Sequence, residues 1–120
     1  MISLIKLLTV IFVAWGLDIV AATLSDFIME EIAAHDVVIF SKSYCPYCKM
    51  TKALMESLNI DAKIHEIDHM DDGTDIQAVL FELFGQRTVP NVFIKGWHLG
   101  GNDDTHAAAE SGILQEMLEL

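Results

Sequence analysis

Val37-Val38-Ile39-Phe40 is an unbroken run of β-branched and aromatic apolar residues. Such a run reads as a strand buried on both faces, not as the alternating pattern of a half-solvated one. Just beyond it stand the only two cysteines of the chain, Cys45 and Cys48, followed over 49–58 by good helix formers. The cysteines therefore sit where a central strand gives way to a helix, with Pro46 at a position that tolerates it in a first turn. The rest of the chain continues the alternation. Leu24, Phe27, Ile28 and Ile32 fall at helical spacing, with Thr23 or Ser25 to cap them, and Asn59 and Asp61 signal a turn before a second strand over 62–67. After the loop and cap at Asp71-Asp72-Gly73-Thr74, residues Ile76, Val79, Leu80, Leu83 and Phe84 line one helix face closed by Gly85. Residues 91–95 and 97–99 make a hairpin around Gly96. Gly100-Gly101 breaks it, and 103–118 is helical with an interruption at Ser111-Gly112. Strands separated by helices imply a parallel pair joined by right-handed crossovers, and the hairpin adds an antiparallel edge. The expectation is a layered α/β domain with its cysteines at the carboxyl end of a central strand, where open sheets place their sites.

The chain has 120 residues, enough for one domain and too few for two. Residues 1–22 read as a leader: Lys6 supplies a positive start, 7–17 is an apolar or near-apolar core, and Val20-Ala21-Ala22 offers small residues for cleavage. The core falls short of the roughly 20 apolar residues a spanning helix needs, which favours a cleaved signal peptide over an uncleaved signal anchor. Residues 23–120 then form the domain. A functional leader implies the secretory pathway (endoplasmic reticulum, Golgi or export), and its absence would leave the chain cytoplasmic. A membrane is expected as a partner only if the leader is retained. Net charge is −11; removing Lys6 and Asp18 with the leader takes one charge of each sign and leaves it unchanged. So acidic a body repels phosphate backbones, which argues against nucleic acid as a partner.

Two cysteines three apart close too short a loop to stabilise a fold much, and small disulfide-framed domains carry more of them at wider spacing. The pair makes better redox sense. A cysteine at a helix start lies among unpaired amides at the positive end of the helix, which favours its thiolate. Lys42 lies upstream, and Lys49 and Lys52 follow at helical spacing from Cys45, so each is expected to favour that thiolate and draw an anionic substrate. Cys48, nearly a turn deeper, fits a resolving thiol. Cys45 and Cys48, with His65 and His69 beyond, also approximate a zinc-finger spacing. Against zinc, His65 falls inside a strand of a domain large enough to need no metal, and a Cys-Pro-Tyr-Cys turn entering a helix suits redox chemistry better. No metal is expected.

These residues resemble a family. Ser41-Lys42-Ser43-Tyr44-Cys45-Pro46-Tyr47-Cys48-Lys49 is similar to the active-site segment of dithiol glutaredoxins. The segments 85–94 (Gly-Gln-Arg-Thr-Val-Pro-Asn-Val-Phe-Ile) and 100–104 (Gly-Gly-Asn-Asp-Asp) resemble that family's two glutathione-binding segments. The likeness runs from about Leu24 to Leu118. Thioredoxins carry Trp-Cys-Gly-Pro-Cys and lack the second of these segments. The resemblance implies a thioredoxin-like three-layer α/β/α sandwich with a four-stranded mixed sheet. It implies a glutathione-dependent oxidoreductase that reduces protein disulfides and glutathione mixed disulfides, with Cys45 and Cys48 catalytic and glutathione as co-substrate. It also implies a cis Val89–Pro90 bond, which would turn the Val89 amide and carbonyl towards Cys45 to pair with the cysteinyl backbone of glutathione. Thr88, Val89 and Pro90 would form one wall. Gly101, Asn102, Asp103 and Asp104 would take the γ-glutamyl end, Lys42 and Gln77 the glycine carboxylate, and Tyr47 would flank the peptide. Partners would be glutathione and glutathionylated or disulfide-bonded proteins, met by a monomer. Some relatives bridge an iron–sulfur cluster as carriers or sensors. They generally hold a smaller residue where Pro46 stands, so that alternative ranks second.

Overall fold

The computed structural model describes residues 16–120. The elements run α1 (Gly16–Ala34), β1 (Val37–Ser41), α2 (Pro46–Ser57), β2 (Lys63–Glu66), a 3-10 turn (Ile67–His69), α3 (Gly73–Phe84), β3 (Asn91–Ile94), β4 (Trp97–Gly100), α4 (Asn102–Ser111) and α5 (Ile113–Met117). The expected leader lies outside the described residues apart from 16–22, which are helical. Helix α1 therefore passes through Thr23 and Ser25 without a break, and neither residue caps it as expected. The physical reason is local: between Leu17 and Leu24 there is no Gly, Pro or Asn to stop a helix, and Ala21 and Ala22 are the strongest helix formers available. Among the described residues no helix is long and apolar enough to cross a membrane.

The sheet has the order β2-β1-β3-β4. Strand β1 pairs parallel with β2 and antiparallel with β3, and β3 pairs antiparallel with β4. Every residue of β1 is buried, and its period of two sorts them to opposite faces. Val38 and Phe40 join Leu24, Ile28 and Ile32 of α1, Ile76, Val79 and Leu80 of α3, and Phe93. Val37 and Ile39 join Met55 of α2, Val92, Ile94, Ala108 and Leu114. Helices thus cover both faces, giving a three-layer α/β/α sandwich around a four-stranded mixed sheet. Each fully buried Ile, Leu or Phe contributes roughly 1.5–3 kcal/mol relative to exposure, so the two clusters fix the sheet that carries β1 to its carboxyl end.

The connections follow the turn chemistry read from the sequence. Asn59 turns at a φ of 55°, α3 stops at Gly85, and Gly112 separates α4 from α5. At Gly100 the φ is +124°, and an added Cβ would run into the Asp104 carboxylate. Only glycine serves there, because the chain must reverse tightly to start α4.

Candidate active site

Cys45 is the N-cap of α2, in extended backbone, with Pro46 at the first helical position. Its Sγ accepts the Cys48 N–H at 3.4 Å, the role an N-cap oxygen usually plays. Cys45 is partly exposed and Cys48 fully buried; both are free thiols. Burial by itself pushes the Cys45 thiol up. Hydrogen bonds from the Cys48 side chain and from the Cys48 and Tyr47 amides, together with the Lys52 charge, outweigh it and bring the pKa below the ordinary thiol value. Cys48 goes the other way, raised by burial and then by its hydrogen bond to Cys45. One helix turn thus separates a sulfur inclined to ionise from one inclined to keep its proton.

Of the three lysines expected to act on Cys45, Lys52 is the one whose charge weighs among the main contributions. It is not a free solvated cation: its Nζ lies 2.6 Å from Glu66 Oε1 on β2. Lys42 acts instead through its backbone, its carbonyl accepting the Cys45 N–H at 3.1 Å. The loop before Cys45 is held from the side as well. Asp68 accepts the Ser43 amide at 2.9 Å and also the Ser43 hydroxyl. That hydroxyl bond, the largest cause, holds the Asp68 carboxyl below the ordinary carboxylate range.

A cleft of about 400 Å³ opens beside this turn, lined by Tyr47, Gln86, Thr88, Val89, Pro90, Gly101, Asn102, Asp103 and Asp104. That is the size of a small-ligand site. The Val89–Pro90 peptide is cis, and the Val89 carbonyl oxygen lies 3.8 Å from Cys45 Sγ. On the opposite wall Asp104 Oδ2 accepts the Gly101 N–H at 3.2 Å. Asn102 Oδ1 accepts the Thr51 hydroxyl at 2.8 Å in a buried contact that ties the start of α4 to α2. The cleft therefore brings together eight of the ten residues expected to bind glutathione, and it omits Lys42 and Gln77. Gln77 is occupied elsewhere, donating through Nε2 to the Arg87 carbonyl at 2.7 Å. The expectation missed Gln86, which lines the cleft and donates to the carbonyls of Thr88 (3.2 Å) and Pro90 (3.0 Å). Its place between Gly85 and Thr88-Val89-Pro90 was the available signal.

The histidines of the zinc-like spacing face different partners. His65 stacks on Phe40 and meets Phe27 edge-on, its Nε2 2.9 Å from Glu31 Oε1, whereas the His69 ring nitrogen lies 3.1 Å from Ser43 Oγ. Among the described residues no group of three or more His, Cys, Asp or Glu is arranged to hold a metal ion.

Comparison with known proteins gives a consistent result. A family model described as Glutaredoxin matches residues 37–99. The chain is 45% identical over 119 residues to Glutaredoxin-C4 of Arabidopsis thaliana, covering 98% of this chain and 88% of that protein. It is 48% identical over 101 residues to Glutaredoxin-C8 of Oryza sativa subsp. japonica, covering 82% of this chain and 74% of that one. The crystal structure of a buckwheat glutaredoxin–glutathione complex superposes with a TM-score of 0.80 at 38% identity, over 82% of this chain and 90% of that chain.

Proposed function

The chain belongs to the glutaredoxin family, with its thioredoxin-like fold, and we infer that it is a glutathione-dependent thiol–disulfide oxidoreductase whose nucleophile is Cys45. The observation that carries the assignment of roles is the sulfur at the head of α2: lowered in pKa, partly exposed, and at the edge of a cleft of tripeptide size. The Cys45 thiolate attacks the glutathionyl sulfur of a mixed disulfide, the protein thiolate leaves, and Cys45 becomes glutathionylated. A second glutathione thiolate attacks that same sulfur, glutathione disulfide departs and the Cys45 thiolate returns. For a protein disulfide, Cys45 forms the mixed disulfide and Cys48 resolves it. The resulting Cys45–Cys48 bridge is then reduced by two glutathione molecules. The first attack depends on thiolate fraction and leaving-group pKa.

The walls divide the tripeptide between them. Ionisation of Cys45 removes the only proton the sulfur could give the Val89 carbonyl, which leaves that oxygen to accept the cysteinyl amide of glutathione. Amides at the start of α4 suit the γ-glutamyl carboxylate. Asp103 is exposed and free to meet the ammonium group, while Asp104 also holds the Gly101 amide. Lys42, in its partly exposed loop, is the residue left to meet the glycine carboxylate, and Gln77 would have to leave the Arg87 carbonyl to join it. Alkylation of Cys45 by iodoacetamide across a pH series tests the reading. The rate is expected to rise through an inflection below the ordinary thiol value of about 8.5, and turnover is expected to saturate with glutathione. A Cys45 thiol still protonated at neutral pH, without saturable glutathione dependence, would overturn it.

The same reading makes glutathionylated and disulfide-bonded proteins the substrates of a monomer. Independently of it, residues 1–22 are proposed as a cleaved leader into the secretory pathway, on the strength of Lys6, the apolar stretch over 7–17 and the small residues Ala21 and Ala22. In a secretory host the mature protein is expected to begin at Thr23, as the intact mass will show. A full-length mass rules out the cleavage.

A further inference from the structure

Gln86 reaches back over the cleft wall rather than out to solvent. Its Nε2 donates to the carbonyls of Thr88 and Pro90, the residues on either side of Val89. Gln86 is itself held. The Asn91 side-chain amide donates to the Gln86 carbonyl at 3.3 Å, and Asn91 Oδ1 lies 2.8 Å from His98 Nε2. An amide oxygen only accepts, so the His98 nitrogen facing it carries the proton. Asn91 is 1% exposed, which makes each of its hydrogen bonds costly to lose. His98 is fixed in turn between the rings of Phe84 and Phe93, at centroid distances of 5.4 and 5.1 Å. The chain His98–Asn91–Gln86 thus runs from the interior of the β3–β4 hairpin to the carbonyls of the residues before and after Val89. It also reaches across the cleft: a Cβ at Gly101 would stand 3.8 Å from Gln86 Nε2 and 3.7 Å from the Pro90 carbonyl.

We propose that Gln86, held by Asn91 and His98, is a positioning residue that presets the Val89 peptide groups to receive the backbone of glutathione. The proposal rests on the glutathione reading above. Pairing along a short extended peptide gains affinity only if the receiving strand is ordered beforehand. Gln86 supplies that order with two hydrogen bonds to carbonyls that the ligand itself does not need. Gln86 meets the Cys45 sulfur only through the Val89 carbonyl, which is not among the main causes that favour the thiolate, so its effect falls on binding.

The test uses Gln86→Met, close in shape but without a donor, and His98→Phe, which keeps the ring packing and removes the proton given to Asn91. Binding is measured with S-methylglutathione, which cannot exchange its sulfur, alongside KM and kcat with a glutathionylated peptide and the alkylation profile of Cys45. Gln86→Met is expected to weaken S-methylglutathione binding about tenfold, the size expected for one or two lost hydrogen bonds. KM should rise to match, with kcat within about twofold and the Cys45 inflection unmoved. His98→Phe should shift binding in the same direction by a smaller factor. Unchanged binding in Gln86→Met, with or without a lower unfolding midpoint, overturns the proposal, as does a loss confined to kcat or a displaced Cys45 titration. Failure of the unmutated protein to bind S-methylglutathione would instead overturn the glutathione reading itself.

Discussion

Cys45→Ser is expected to abolish glutathione-dependent reduction of a small mixed disulfide, by a factor on the order of 10³ or more, while Cys48→Ser retains most of that reaction. The asymmetry follows from the two environments. Cys45 is partly exposed, its sulfur accepts an amide at the head of α2, and its pKa is lowered. Only such a sulfur can meet an incoming disulfide as a thiolate. Cys48 is fully buried with a raised pKa, so it has neither the access nor the charge to begin the exchange. Its position at hydrogen-bonding range of Cys45 suits one later step, attack on a mixed disulfide already formed there. Serine at position 48 keeps a hydroxyl that can hydrogen bond to Cys45, so the thiolate is not left unsupported. Reduction of protein disulfides separates the variants further: Cys48→Ser should stall with substrate bound to Cys45, visible as a covalent adduct by mass. Equal loss of the mixed-disulfide reaction in both variants would mean that every turnover passes through the dithiol. Retention of activity in Cys45→Ser would place the nucleophile elsewhere.

The parts of this molecule that the sequence makes legible are those whose causes are local. The run at Val37-Val38-Ile39-Phe40 names a doubly buried strand, Pro46 marks the start of α2, and the spacing of Ile76, Val79, Leu80 and Phe84 names the inner face of α3, whereas Leu83, expected on the same face, stands exposed at its rim near the helix end. Each is confirmed within a residue or so, because period and turn chemistry act over one or two helical turns. What escaped is tertiary. The tie between Lys52 and Glu66 joins a helix to a strand fourteen residues on, and no pattern in the chain announces it. Gln86 is an ordinary loop glutamine until the fold-back at Pro90 brings two carbonyls under its amide. Gln77 is named only through the family likeness, and Lys42 through its charge as well; neither lines the cleft wall formed by 86–90 and 101–104. The extension of α1 to Gly16 shows a third case, in which helix propensity alone had no stop signal to set against it.

Gly73→Ala is expected to cost about 3 kcal/mol of stability. In the sequence Gly73 reads as part of a loop and cap, where alanine would be harmless. In the fold it is buried at the first position of α3, and an added Cβ would stand well inside contact with the backbone carbonyl of Ile67. Backbone cannot rotate aside as a side chain can, so one of two elements must move. If the 3-10 turn yields, Ile67, 2% exposed, is pulled from the core, and Asp68 is drawn off Ser43 in the loop that precedes Cys45. If α3 yields, Ile76, Val79 and Leu80 shift against β1 and α1. Either way a close-packed layer loses contacts it cannot replace. Urea unfolding monitored by circular dichroism should give a lower midpoint with an unchanged slope, the mark of lost native-state stability. Thr74→Ala, an exposed site one residue on, is the control and should stay within about 0.5 kcal/mol. A loss below about 1 kcal/mol at Gly73 would mean that the Ile67 turn gives way cheaply, and that the Asp68 clamp on the Cys45 loop stands on softer ground than its hydrogen bonds imply.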